Sequence, residues 1–444
     1  MDTLETALRM LEAYPLCDHC LGRQFALLGH GLENSERGRA LKLTLTLKAH
    51  DTAVSESKES IGELRILAAN GFFDPARQVL QQLKKRAPKK GPIETCYLCE
   101  NVFLNLDRLV EDALGKIGEY EFTSFLVGVE LPASMVERED EFKGKFEVAH
   151  GENLRNELGR VVGKRICERS GKIVDHLKPE IVVLVNPAVA AVRLQVNPLF
   201  IAGRYRKLVR GIPQSKWFCS NCRGKGCQKC GWTGKMYAES VEEIVGKRIL
   251  EAVAGGGSSF HASGREDIDA RMLGAGRPFV IEIAGPMKRF LDLGKLEEAV
   301  NAYGTGKVEV SGLKFANKDV VRKLKQGENA QKQYRVMMRF GRQVDGKELD
   351  NLEQILSNVR IKQRTPLRVM HRRADLTREK YIYEVKVKKL SSKKAEMELR
   401  CQGGLYVKEL VSGDEGRTVP SVAEILKTSA QPLKLDVLNI ILGD

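Results

Sequence analysis

The chain is 444 residues long, enough for two or three domains with cores of their own. Its 73 Lys and Arg against 58 Asp and Glu leave a net charge of +15, which points to a polyanionic partner and says nothing of fold. Aromatics at 6% argue against broad base-stacking platforms, and no stretch approaches the roughly 18 apolar residues of a membrane helix. Met1-Asp2-Thr3-Leu4-Glu5 lacks the basic flank and apolar run of a signal peptide. A soluble, cytoplasmic protein is expected, acting as a monomer.

Apolar residues at spacings of three and four predict helices over Thr3–Tyr14, Asn34–His50, Ile61–Ala69 and Asp74–Arg86. After the first comes Cys17-Asp-His-Cys20. After the fourth, a basic exit, Lys84-Lys85-Arg86 with Pro88-Lys89-Lys90 and Gly91-Pro92, leads to Cys96-Tyr-Leu-Cys99. In a long, basic chain without secretory signals, C-x-x-C pairs favour zinc over disulfides, because each turn presents two thiolates to one tetrahedral ion. One Zn²⁺ shared by Cys17, Cys20, Cys96 and Cys99 would tie together two distant segments. Redox pairs or buried thiols are the alternatives, and His19 competes as a ligand.

A helix is predicted over Val102–Ile117, a strand over Phe122–Leu131, and a helix rich in Arg and Lys over Glu152–Arg169. Pro179–Val185 is an apolar run of the buried-strand kind, and strand-like Ala191–Val196 follows. The segment Phe200–Arg210 interleaves Arg204, Arg206, Lys207 and Arg210 with apolar and aromatic residues, which suits a phosphate backbone but equally an exposed edge strand. Then Cys219, Cys222, Cys227 and Cys230 fall in a compact C-x2-C-x4-C-x2-C among polar and basic residues. This is a second candidate zinc site; the spacing departs from ferredoxin runs, so an iron–sulfur centre is the lesser alternative. Cys167 and Cys401 read as ordinary buried residues.

From residue 236 the expected order is helix Ser240–Val253, a Gly255–Gly257 break and strand Ser258–Ala262. Then comes a loop, Gly264-Arg-Glu-Asp-Ile-Asp-Ala-Arg-Met-Leu-Gly-Ala-Gly276, running through Arg277 and Pro278 into strand Phe279–Ile283. Charges and turn-formers compressed between apolar segments mark a place for chemistry on a rigid scaffold, or a solvated loop stitched by ion pairs. Strand Lys307–Phe315, helix Asn317–Gln326, strand Gln331–Phe340, helix Asp345–Leu356, and strands Tyr381–Leu390, Glu396–Cys401 and Lys434–Leu442 follow. The class is α+β, with a mixed or antiparallel central sheet in the second part. No G-x-G-x-x-G opens a helix after a strand and no G-x4-G-K-[ST] occurs, so Gly274 and Gly276 read as loop glycines and no nucleotide or other organic cofactor is expected.

Arg265-Glu266-Asp267, Ile268–Gly274 and Gly276-Arg-Pro-Phe279 resemble the catalytic loop of the archaeal tRNA pseudouridine synthases that act on uridines 54 and 55. In that wider class the nucleophilic Asp follows an Arg by two places, so the resemblance selects Asp267 and leaves Asp269 a supporting role. Lys332-Gln-Tyr334 resembles the motif whose Tyr stacks on the target base. Gly403–Leu410 with Gly413–Thr418 and Pro420-Ser421 resembles the later active-site strand and turn, and Leu435–Leu438 the closing strand. The usual Gly-Thr-Tyr reads Gly404-Leu405-Tyr406 here.

The resemblance covers nearly the whole chain. It implies residues 1–235 as an accessory RNA-binding domain with zinc knuckles and a THUMP-like α/β module over about 45–200. Residues 236–444 would be the catalytic domain. It also implies Asp267 as nucleophile, kept ionised by Lys408 or, second, Arg265. Arg265 would fill the space of a flipped uridine, Tyr334 and Tyr406 would contact the base, and Val407 and Leu435 would wall the pocket. The T arm of tRNA is the expected substrate. Uridine 54 against 55, and glycal against C6 addition, stay open. The rivals are a non-enzymatic zinc-knuckle RNA-binding protein and a different THUMP-type tRNA-modifying enzyme, such as a methyltransferase or a thiolase.

Overall fold

The structure, a computed structural model, describes residues 2–54, 58–89, 94–325 and 330–441. Met1, Lys90, Gly91, Pro92, Gln326 and Leu442, which belong to segments read above, lie outside these. The chain divides at Asn197/Pro198 into two compact units.

The first unit opens with six helices, α1 (Thr3–Ala13), α2 (Asp18–Arg23), α3 (Asn34–Ala53), α4 (Lys58–Ala69), α5 (Asp74–Gln82) and α6 (Leu106–Ile117). α6 shows the pattern: Leu106, Leu109, Val110, Ala113 and Ile117 are its buried face, a stripe at helical spacing. α5 stops before Arg86, because Lys84 takes a left-handed φ of 54° and Pro88 follows. A small sheet comes next, with β1 (Ser124–Val129), β2 (Ile173–Val174), β3 (Ile181–Asn186) and β4 (Ala191–Val196) in the order β2-β1-β3-β4. β1 runs parallel to β2 and β3, and β3 antiparallel to β4. Two helices, α7 (Ala133–Lys145) and α8 (Leu154–Ser170), separate β1 from β2. The sequence reading missed α2 and α7. α7 buries only Met135, Glu139 and Phe142 in a charge-rich stretch, too sparse a stripe to read as periodic.

The second unit is built on one ten-stranded sheet. Its elements are β5 (Leu199–Lys207), α9 (Val241–Val253), β6 (Gly257–Ala262), β7 (Ala270–Ala284), α10 (Leu293–Tyr303), β8 (Val308–Ala316), α11 (Lys318–Lys325) and β9 (Gln331–Phe340). These are followed by α12 (Gly346–Leu356), β10 (Val359–Arg364), β11 (Thr377–Ser391), β12 (Lys394–Gln402), α13 (Val407–Ser412), β13 (Thr418–Val419), α14 (Val422–Ile425) and β14 (Ala430–Ile441). The order is β13-β10-β11-β12-β9-β14-β7-β5-β8, with β6 on β7. Every pair is antiparallel except β14 with β7, so the expected mixed sheet is present.

Three expectations are corrected here. Residues 198–235 belong with the second unit, not with the first 197, because β5 is hydrogen-bonded on both edges, to β7 and to β8. Gly274 and Gly276 lie inside β7, not in a loop before it. Tyr205 pairs with Arg277 while Lys207 pairs with Met272, a bulge that shortens the ladder. Both glycines have positive φ, and a Cβ on Gly274 would sit 2.0 Å from the Leu438 carbonyl oxygen, so only glycine fits. Finally, Val407–Ser412 is a helix capped by Tyr406 and closed by Gly413 at φ 82°, where a strand was expected around Tyr406–Lys408.

Candidate active site

The loop between β6 and β7 is held by its backbone. Lys207, fully buried on β5, donates to the carbonyls of Asp267 (3.1 Å) and Ile268 (3.3 Å). Arg210 donates to the carbonyl of Asp269 (2.7 Å), Gln214 to that of Gly264 (3.0 Å), and Arg277 to that of Ser263 (2.6 Å). Beneath them Glu266 is buried, and its Oε2 accepts from the Tyr205 hydroxyl (2.8 Å) and Arg277 Nε (2.9 Å). A buried carboxylate persists only with such partners. Glu266 therefore anchors the loop inward while its neighbour Asp267, 36% exposed, faces outward.

Two cations meet Asp267. Lys408 Nζ is 3.2 Å from its Oδ2 and Arg368 Nη1 3.4 Å. Each cation has a second carboxylate: Lys408 binds both oxygens of Asp269 (2.7 and 2.8 Å), and Arg368 Nε binds the buried Glu409 at 2.5 Å. Burial works to raise the Asp269 carboxyl, but Lys408 outweighs it and holds the group below its usual value. Lys408 is thus in the place expected of it. Arg265 is not: its guanidinium lies 5.5 Å over the Trp217 ring, and the second cation at Asp267 is Arg368. Arg368 comes from a short 3-10 helical turn, Leu367–Arg372, and offered no periodicity or motif to find it by.

Asp267 opens into a cavity of about 610 Å³ whose wall includes Arg265, Tyr334, Tyr406, Val407, Lys408 and Leu435, so the site residues singled out in the second unit come together. Leu435 pairs with Ala270 where β14 meets β7. Gln363 clamps the Tyr406 backbone, accepting from its N–H (2.8 Å) and donating to its carbonyl (3.0 Å). Burial pushes the Tyr334 phenol well above its ordinary value, so it stays a neutral hydroxyl. Lys332, on the same face of β9 two residues earlier, also lines the cavity; burial first, then the Arg277 charge, pulls its ammonium down to about 8.

The basic stripe Arg204–Arg210, on β5 and just after it, does not lie on an exposed edge strand, since β5 is paired on both sides. Arg204 donates to the carbonyls of Ala275, Gly276 and Ile440, Arg206 pairs with Glu309, and Arg210 pairs with Asp436. With Lys207 buried, these cations bind the fold's own acceptors.

The eight paired cysteines form two four-sulfur groups, Cys17/Cys20/Cys96/Cys99 in the first unit and Cys219/Cys222/Cys227/Cys230 in the second, their sulfurs all within 4.8 Å of one another. Sulfur–sulfur distances of 3.7 Å (Cys17–Cys99), 3.9 Å (Cys219–Cys227) and 3.8 Å (Cys222–Cys230) match the edge of a tetrahedron with metal–sulfur bonds of about 2.3 Å. Backbone N–H groups support the sulfurs, as Gly226 does Cys222 (3.2 Å) and Gly234 does Cys230 (3.3 Å). Both donor sets fit a tetrahedral zinc. His19 is no ligand: it stacks on Phe103 and bonds Glu157 at 2.8 Å.

No helix of the described residues is long and apolar enough to cross a membrane. Residues 200–441 match the family described as Pus10, C-terminal, and residues 109–186 match the Pus10 THUMP domain, archaeal. The chain is 41% identical over 442 residues to "tRNA pseudouridine synthase Pus10" of Methanothrix thermoacetophila, covering 99% of this chain and 94% of that one. It is 44% identical over 440 residues to the protein of the same name from Methanocaldococcus jannaschii, covering 97% and 93%. It is 39% identical over 432 residues to that of Thermofilum pendens, covering 97% and 94%. The chain belongs to the archaeal Pus10 family of tRNA pseudouridine synthases and carries that family's THUMP domain.

Proposed function

We propose that this protein isomerises uridine 54, uridine 55 or both in the T arm of tRNA to pseudouridine, with Asp267 as nucleophile and no organic cofactor. The observation that carries the reading is Asp267 itself: a carboxylate at the mouth of a cavity, flanked by two cations and facing a neutral tyrosine. The reaction breaks the N1–C1′ bond, turns the uracil and forms C5–C1′. N1 gains a proton and C5 gives one up, so nothing is consumed. One anionic nucleophile can drive this, and the two cations offset charge as it moves.

A uridine leaving its stack needs replacement contacts. Tyr334 offers a ring face and hydroxyl, Tyr406 a second ring, and Val407 and Leu435 an apolar wall against water. Arg265, exposed over Trp217, is placed to occupy the vacated stack. The two four-cysteine groups hold structural zinc, which braces the loops around them and takes no part in the chemistry. The first unit, with its THUMP domain, grips the tRNA through phosphates, and the cavity selects the uridine.

Unmodified tRNA is incubated with wild type and with Asp267→Asn, then pseudouridine is mapped by carbodiimide-blocked primer extension. Stops at T-arm uridines with wild type alone are expected; no wild-type stop there overturns the assignment. A methyltransferase or a thiolase would leave the carbodiimide pattern unchanged.

A further inference from the structure

The cavity around Asp267 is lined by eight Lys and Arg side chains against two carboxylates, Glu266 and Asp267. Most of these cations are engaged. Arg277 holds Glu266, Arg368 holds Asp267 and Glu409, and Lys408 holds Asp267 and Asp269. Arg378 donates to Thr365 and to the Leu376 carbonyl, and Arg265 lies over Trp217. Lys332, Lys380 and the exposed Arg373 have no hydrogen-bond or ion-pair partner among the described residues, and of these three only the two lysines are half-buried.

Their placement makes this more than surplus charge. Lys332 rises from β9 and Lys380 from β11, both half-buried, and each ammonium sits against a glycine of positive φ. A Cβ on Gly264 would come within 3.0 Å of Lys332 Nζ, and one on Gly404 within 3.3 Å of Lys380 Nζ. Side chains there would cover the two ammonium groups; glycine leaves them open to the cavity. A half-buried lysine without a partner disfavours folding, and the nearby Lys380 charge adds to that cost at Lys332. Two such groups facing one cavity form a binding site for an anion.

We propose that Lys332 and Lys380 form a phosphate subsite that receives an RNA phosphodiester adjoining the uridine presented to Asp267. This rests on the functional reading above. A nucleotide entering the cavity base-first brings its own phosphates with it. Fixing one of them fixes where C1′ stands relative to the carboxylate, so both lysines are positioning residues.

Binding of a T-arm RNA to the full chain is measured by fluorescence anisotropy between 50 and 300 mM salt, for wild type, Lys332→Met, Lys380→Met and the double variant. The double variant should bind about tenfold or more weakly, with its log–log salt slope shallower by about 0.7 to 0.9 because it no longer neutralises that one phosphate. A second RNA carries neutral methylphosphonates at the phosphodiesters flanking the target uridine. It should weaken wild-type binding by a similar factor and leave the double variant nearly unaffected. An unchanged salt slope in the variant, or the same methylphosphonate penalty in both proteins, would overturn the subsite. Lys380→Met, on a different strand from Lys332, keeps the test readable if Lys332→Met fails to fold. The assay reads binding, so a wild type that makes no pseudouridine defeats the proposed function separately.

Discussion

Arg368→Met separates stability from chemistry at the site. Glu409 is buried and its cation is Arg368, at 2.5 Å from Nε and 3.5 Å from Nη2. Removing the guanidinium leaves a buried, uncompensated carboxylate, at a cost of about 3–5 kcal/mol. The same substitution removes the 3.4 Å contact to Asp267. In a medium of effective dielectric about 20 the bare Coulomb term would be about 5 kcal/mol, but these two side chains are 38% and 36% exposed, so about 1 kcal/mol is realistic.

Arg368→Met/Glu409→Gln removes the stranded charge and should recover at least about 2 kcal/mol over the single variant in equilibrium guanidinium denaturation. Single-turnover rates should stay about five- to tenfold below wild type in both, since neither has the cation beside Asp267. A double variant no more stable than Arg368→Met would show that the Arg368–Glu409 pair does not hold this turn. Recovered turnover would show that the second cation at Asp267 is idle.

The remaining predictions concern other parts of the molecule. The Lys332 ammonium, about 8 in the fold against about 10.4 unfolded, is depressed, so the folded chain binds fewer protons between these values and stability rises with pH through that window. Lys332→Met should abolish the rise and stabilise the protein by about 3 kcal/mol at pH 7; Arg277, Glu266, Cys401 and Lys380 face the same amine and remain in the variant. Metal analysis of the purified chain should give two zinc ions per chain, falling to one in Cys99→Ser and to one in Cys230→Ser; a wild-type content of zero would refute both sites. Arg206→Ala should leave the salt slope of tRNA binding unchanged, because that side chain is already paired with Glu309. A slope lower by nearly one would restore the phosphate role that the sequence suggested for the β5 stripe.

Most helices with a dense apolar stripe, such as α6, were legible from spacing, as were β9 and β4. So was the clustering of four thiols, because C-x-x-C constrains two ligands locally. What escaped reading was made by tertiary context. α7 packs on three side chains only. The β7 bulge depends on Gly274 lying against the Leu438 carbonyl, 164 residues on in the chain. At the site, Asp267, Tyr334, Tyr406 and Lys408 were found through their resemblance to a known loop and its companion motifs. Arg368 and Glu409 were not, because an ion pair between a turn and a short helix has no sequence period. The β5 stripe stayed ambiguous for a related reason: alternating cations look alike whether they face phosphate or the carbonyls of a bulged neighbour strand.

The central claim is that Asp267 breaks the glycosidic bond of a tRNA uridine. Its most direct test is tritium release from tRNA carrying 5-tritiated uridine, under single turnover, comparing wild type with Asp267→Asn and measuring tRNA affinity for both. Release by wild type, a loss of more than about 10³-fold in the variant and an affinity unchanged within a few-fold are expected. Release by the variant at a rate near wild type, with the tRNA bound equally well, would contradict the account.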